Sequence, residues 1–140
     1  MEKQAFGIVQ KLQKLGYKAY YVGGAVRDIL NKTKPKDFDI VTSAKPQEIE
    51  KIFPKTLSIG KNFGISFVVI GNSSFEVATF RKEQGFSDHR RPDKIEWTDE
   101  KEDALRRDFT INALFYDPIA KKLIDYVGGQ DHLKEEILLL

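Results

Sequence analysis

The stretch Val22–Val41, VGGAVRDILNKTKPKDFDIV, constrains this chain more than any other. Lys18–Val22 is rich in aromatic and β-branched residues and reads as a strand. Gly23-Gly24 is then a tight turn and Ala25–Lys32 a short helix, so the backbone amides at the turn point outward together, as in a phosphate cradle. Asp37-Phe38-Asp39-Ile40-Val41 alternates polar and apolar with a period of two. Both carboxylates therefore leave one face of a strand while Phe38 and Ile40 enter the core.

The flanking segments extend the pattern. Phe6, Val9, Leu12 and Leu15 form an apolar stripe along a helix from Glu2 to Leu15, and Gly16 stops it. Pro46 opens a helix whose buried side is Ile49, Ile52 and Phe53, ending before Pro54. Thr56–Ile59, Ile65–Ile70 and Phe75–Arg81 read as strands, the last two joined by the hairpin signal Gly71-Asn72-Ser73-Ser74. The order is α/β, and the sheet has an antiparallel part. Lys82–Thr98 keeps no period, mixes charges of both signs and is interrupted by Gly85 and Pro92, which predicts a mobile loop. Asp99 caps a helix to about Arg107, and Ile119–Tyr126 finishes the fold after the turn Asp117-Pro118.

One domain fits 140 residues. The net charge of +2 confines any nucleic-acid contact to local basic clusters. Without cysteine there are no disulfides, thiolate metal sites or cysteine nucleophile, and a reducing compartment is compatible. No apolar run approaches a membrane span and the first residues lack a signal-peptide core, so we expect a soluble cytoplasmic protein with no membrane partner.

Asp37 and Asp39 carry the sharpest chemical signal, because two carboxylates on one strand face supply oxygen ligands that a pair of hard cations shares, magnesium first. An isolated pair of this kind equally describes an edge strand guarded against aggregation. Glu76, flanked by Phe75 and Val77, puts a third acid on a strand expected beside them, or is an ordinary outward glutamate. Arg27 follows the glycine turn where a guanidinium grips phosphate oxygens, or it makes a surface ion pair with Asp28. No P-loop and no dinucleotide fingerprint is present, so a different phosphate site is required. Arg106, Arg107, Asp108 and Asn112 combine guanidiniums with groups suited to a triphosphate and a ribose, or they end an amphipathic helix. His89 and His132 stand without ligand-like partners, and Phe86, Trp97 and Tyr116 are by default packing residues.

Taken together, VGGAVRD, KPKDFDIVT, FEVATFR and EDALRRDFTINALFYD occur in the order found in the class II tRNA nucleotidyltransferase and bacterial poly(A) polymerase family, which this chain resembles over roughly Tyr20–Leu133. The resemblance implies a head domain of the polymerase-β-like nucleotidyltransferase fold, a mixed sheet backed by helices. It implies magnesium at Asp37 and Asp39, with Glu76 as the third acidic position. Gly23, Gly24 and Arg27 correspond to the triphosphate motif, and Arg107, Asp108 and Asn112, assisted by Arg106, to the nucleotide and ribose motif. The implied activity is template-independent addition of CMP and AMP from CTP and ATP to the 3′ end of tRNA, by attack of the 3′-hydroxyl on the α-phosphate. SIGKNFGISFVVI resembles the tRNA-repair members, and DHRRPDKIEWT the loop of members that add the terminal adenosine. A poly(A) polymerase head and a non-catalytic nucleotide- or RNA-binding module of the same fold are the alternatives.

The family's base-selecting E-D-x-x-R motif follows its second glycine pair, whereas here Glu102-Asp103-Ala104-Leu105-Arg106 spells that pattern ahead of it and belongs to a different motif by order. His132 stands where the family favours a second aspartate after Gly128-Gly129. We therefore expect a head domain over residues 1–133, the start of a truncated neck over 134–140, and a partner chain or missing C-terminal domains to complete base selection. Ile137–Leu140 is expected to be exposed or covered by another chain.

Overall fold

The strand, turn and helix expected at Val22 do form, and they lie in the middle of a seven-stranded sheet. The structure, a computed structural model, describes residues 2–57, 64–86, 92–97, 103 and 114–125, with 82–86 and 92–97 described as backbone only. The elements are α1 (Glu2–Lys14), β1 (Ala19–Val22), α2 (Gly24–Leu30), β2 (Asp39–Thr42), α3 (Pro46–Ile52), β3 (Thr56–Leu57), β4 (Ile65–Ile70), β5 (Ser73–Thr79), β6 (Arg81–Phe86), β7 (Pro92–Trp97), β8 (Leu114–Asp117) and β9 (Lys122–Asp125). Strand order is β3-β4-β5-β2-β1-β8-β9. β2 and β5 run parallel, and the other neighbours run antiparallel, so the sheet is mixed.

All four residues of β1 are buried, as a central strand covered on both faces requires. On one face Tyr21, Ile40, Val68, Phe75, Val77 and Leu114 join Ile8, Leu12, Val26 and Ile49 from the three helices in the main core. On the other face Tyr20, Val22, Val41, Phe80 and Phe115 form a second, aromatic cluster. Tyr20 and Phe115 stack with ring centroids 6.0 Å apart, and Phe80 lies 5.9 Å from Phe115. Buried hydroxyls tie the strand ends: Thr42 Oγ1 donates to the Lys18 carbonyl at 2.6 Å and Thr79 Oγ1 to the Ala44 carbonyl at 2.7 Å.

Three sequence expectations need correction. In α1 the buried positions are Ala5, Ile8, Val9 and Leu12, an i, i+3, i+4, i+7 stripe, while Phe6 and Leu15 are 37% and 56% exposed. The buried stripe is one helical step away from the one drawn through the larger side chains, because a small residue, Ala5, allows α1 to approach the sheet. The hairpin between β4 and β5 is a two-residue connection: Ile70 pairs with Ser73, Ser73-Ser74 already belong to β5, and Gly71 takes φ +59 at the first central position. Finally, Lys82–Thr98 is not irregular throughout, since β6 and β7 pair antiparallel as a separate ribbon. Their register sets Lys82 opposite Glu96 and Glu83 opposite Ile95. Pro92 opens β7, a position where a strand tolerates the missing N–H.

Of the expected helix 99–107 the described part is Asp103, which is helical and fully buried. The expectations for Arg106, Arg107, Asp108, Asn112 and Ile137–Leu140 fall outside the described residues. No helix among the described residues is long and apolar enough to cross a membrane.

Candidate active site

Gly23 sits between β1 and α2 with φ +74 and ψ −135, a conformation that side chains strongly disfavour. Its carbonyl accepts the Val26 and Arg27 amides at 3.1 and 3.3 Å, which starts α2. No side chain caps that end, so the first-turn amides of Gly24 and Ala25 meet no competing cap from the protein. The guanidinium of Arg27 folds back toward the turn: a Cβ on Gly24 would lie 3.7 Å from Nη2. Among the described residues the Arg27 guanidinium has no hydrogen bond or ion pair, and the residue is exposed. Three features that suit an anion, namely open amides, a helix start and a free guanidinium, therefore share one corner.

The acids are adjacent to it. A Cβ on Gly23 would lie 3.7 Å from Asp39 Oδ2, so this carboxylate stands against the turn. β2 begins at Asp39 itself, with Asp37 exposed in the lead-in and Phe38 buried between them, as the alternation predicts. β2 and β5 pair Ile40 with Val77 and Val41 with Ala78; one step back along the same register, Asp39 is level with Glu76. Neighbouring strands lie about 4.8 Å apart, so these two carboxylates are lateral neighbours on one sheet face.

The register carries further. Val22 pairs with Asp39, Phe115 with Val22 and Ile124 with Phe115, so Glu76, Asp39, Val22, Phe115 and Ile124 make one transverse row across four strand boundaries. Two of its five residues are acidic and three apolar, and the aromatic cluster forms the floor beside the acids. Like charges side by side on a sheet are destabilising unless something positive joins them. Carboxylate oxygens are the donors that a hard divalent cation takes, so the donor type fits such an ion. Among the described residues, however, no three carboxylates, histidines or cysteines come close enough to hold an ion on their own. Asp39 and Glu76 are level neighbours and Asp37 stands exposed two residues ahead, an open arrangement and not a closed cage.

Nothing in the sequence spacing marked Asp103 as an anchor. Its carboxylate accepts the Arg81 backbone amide at 2.8 Å, which ties the segment ahead of β8 to the root of the β6–β7 ribbon. A cavity of about 430 Å³ lined by Ile8, Lys11, Phe53, Val68 and Ile70 lies on the helix-covered side and contains none of the expected site residues. Apart from Gln4 and Lys11 its lining is apolar, from α1, the end of α3 and β4, which suits packing more than phosphate chemistry.

The Poly A polymerase head domain family matches residues 19–139. The chain belongs to that family. Over 137 residues the head domain is 47% identical to a CCA-adding enzyme of Geobacillus sp. (strain WCH70) and 44% identical to one of Staphylococcus epidermidis (strain ATCC 12228 / FDA PCI 1200), covering 97% of this chain in both cases. It spans 34% of the length of those curated relatives. Among solved structures it is similar to the Bacillus stearothermophilus CCA-adding enzyme in complex with CTP, with a TM-score of 0.78 and 39% identity over 94% of this chain and 31% of that one. A tRNA nucleotidyltransferase complexed with a primer tRNA and an incoming ATP analog matches with a TM-score of 0.62 and 32% identity, over 93% of this chain and 36% of that one. The mixed sheet backed by helices is therefore the polymerase-β-like nucleotidyltransferase fold that the sequence resemblance implies.

Proposed function

We propose that the chain is the catalytic head of an RNA nucleotidyltransferase that adds CMP and AMP, from CTP and ATP, to the 3′ end of tRNA. The observation that supports this most is the placement of Asp39 against the Gly23 turn, which the Arg27 guanidinium also faces, and level with Glu76 on the neighbouring strand. Asp37 and Asp39 are the residues to hold magnesium, and Glu76 is the neighbouring acid. An open acidic arrangement suits this ion, which keeps few protein ligands and completes its shell with water and substrate phosphates. When bound, the metal supplies neutralisation of phosphate charge and a lowered pKa for the RNA 3′-hydroxyl.

The chain's own residues then do the positioning. Arg27 and the amides at Gly23-Gly24 bind the triphosphate, so that the α-phosphorus faces the carboxylates. The 3′-hydroxyl releases its proton to solvent as its oxygen bonds to that phosphorus, the bond to the bridging oxygen breaks, and pyrophosphate leaves carrying the charge that Arg27 offsets. Arg106, Arg107, Asp108 and Asn112 bind the nucleotide and its ribose on the strength of their motif alone. We place the head at residues 1–133 and read 134–140 as the beginning of a neck. The protein is assigned to the cytoplasm, in keeping with a chain without cysteine.

The test is magnesium-dependent incorporation of labelled CMP and AMP into tRNA that ends before, within or after CCA. Asp39→Ala and Asp37→Ala should each lower incorporation on the order of 100-fold or more, the scale seen when a transition-state charge loses its partner. Long A tracts on arbitrary RNA would replace this reading with a poly(A) polymerase. Nucleotide binding without incorporation, even with the remaining two-thirds of a relative supplied, would replace it with a binding module.

A further inference from the structure

The connection between α2 and β2, Asn31–Lys36, carries lysine at positions 32, 34 and 36 and delivers the chain to Asp37. All three lysines are exposed, and among the described residues none has a carboxylate partner. A molecule with a net charge of only +2 has placed three uncompensated cations within five residues. Two structural details separate this arrangement from a randomly solvated loop.

The first is the backbone of Lys32. The Lys32 amide donates to the Ile29 carbonyl at 3.1 Å and the Thr33 amide to the Asp28 carbonyl at 2.8 Å, the paired bonds that close a helix through a left-handed residue. That residue is Lys32, with φ +58, at a position where glycine or asparagine is usual. Asn31 is the immediate neighbour, so the common solution is one residue out of place and a lysine takes the strain instead.

The second is the direction of Lys34 and Lys36. A residue before proline is held extended, and alternate residues of an extended segment share a side at about 6.6 Å spacing. Pro35 is half-buried and lines a cavity with Tyr21, Phe38 and Tyr116, and Lys34 and Lys36 on either side of it are exposed, with the backbone bending at Lys36. The result is a short row of cations, fixed at one end by a helix cap and flanking a half-buried proline, leading to Asp37. Its shape and spacing suit consecutive phosphates of a polynucleotide strand better than a single compact anion.

We propose that Lys32, Lys34 and Lys36 form a backbone-phosphate contact for the RNA strand whose 3′ end is brought to Asp37 and Asp39. The inference rests on the RNA-transferase reading for its choice of ligand. It gives that reading a sequence-independent tether beside the carboxylates, where RNA would otherwise be repelled.

The experiment measures binding of a tRNA that ends before CCA, by anisotropy as a function of salt, together with CTP binding in the absence of RNA. The variant Lys32→Gln/Lys34→Gln/Lys36→Gln should bind the tRNA roughly tenfold more weakly at low salt, and its log K against log salt slope should be shallower by about 2, given some 0.7–0.9 per phosphate contact. A charge-matched control, Lys45→Gln/Lys51→Gln/Lys55→Gln, should leave both quantities unchanged, as should CTP binding in either variant. Lys32→Gly alone should raise the thermal midpoint and still weaken tRNA binding, which separates the contact from any loss of fold. An unchanged salt slope in the triple variant, equal loss in the control, or weakening of CTP instead of tRNA would each overturn the proposal. Failure of the unmodified protein to incorporate CMP, with the salt-slope change intact, would remove the transferase reading and leave the RNA contact standing.

Discussion

The two neighbouring glycines at the centre of the site respond to the same substitution in opposite directions. At Gly23 an added methyl meets no clash, since the nearest heavy atom, Asp39 Oδ2, would be 3.7 Å away. The cost lies in the backbone: φ +74 with ψ −135 is a region that alanine occupies only at about 1–3 kcal/mol. At Gly24 the backbone is already the first residue of α2, with no positive φ, and the methyl meets only the movable end of Arg27 at 3.7 Å. There alanine is the better helix former by about 0.5–1 kcal/mol. Gly23→Ala should therefore lower stability by about 2 kcal/mol while Gly24→Ala raises it slightly, a gap of about 2.5–3 kcal/mol between adjacent positions. In a domain of 140 residues that gap corresponds to roughly 8–12 °C in Tm, readily resolved by calorimetry or by urea titration with a common m value. The activities should follow the same order: the Gly24→Ala methyl makes only ordinary contact with Arg27 Nη2 and should leave KM for CTP unchanged, whereas Gly23→Ala distorts the turn and should raise it. Shifts of the same sign in both variants, or a Gly23→Ala protein with an unaltered Tm, would refute the backbone argument.

Two other expectations concern the scaffold. Thr79→Val removes the hydroxyl that donates to the buried Ala44 carbonyl at 2.7 Å and should cost about 1–3 kcal/mol in urea unfolding, because that carbonyl is left unpaired; an unchanged midpoint would contradict it. Tyr17 donates to Glu48 Oε2 at 2.6 Å; this bond, and then the Lys45 amide, hold the Glu48 carboxyl below its ordinary 4.5, while the same bond raises the Tyr17 phenol above 10.0. A depressed carboxyl stabilises the fold above about pH 4.5 and loses that contribution as pH falls through its folded value; a raised phenol contributes below pH 10 and loses it above. Tyr17→Phe should flatten both outer limbs of the stability–pH curve and change little at neutral pH, since solvent screens this surface pair; limbs parallel to those of the unmodified protein would count against the bond.

Much of the architecture was legible because it depends on local chemistry. The aromatic and β-branched content of β1, the glycine turn, Pro46 at the head of α3 and the two-residue period through Phe38 and Ile40 each announce an element without reference to distant residues. Where sequence reasoning slipped, a neighbour decided. Which stripe of α1 is buried depends on how closely the helix meets the sheet, and Ala5 rather than Phe6 answers that. The β6–β7 ribbon has no period to read, because its logic is pairing across the ribbon. Asp103 looked like part of a displaced motif, and its role as acceptor for the Arg81 amide arises from a contact between residues 22 positions apart.

The acidic site divides along the same line. The sequence by itself determined that Asp37 and Asp39 leave the same side of an extended segment, that a glycine turn and an arginine precede them, and that a third acid follows on another strand; these are consequences of backbone period and residue type. Only the tertiary structure decided that β2 and β5 run parallel in the register that sets Asp39 level with Glu76, and that Gly23 lies against the Asp39 carboxylate. Strand order and register arise from the burial of two whole sheet faces at once, and no local window of sequence contains that sum.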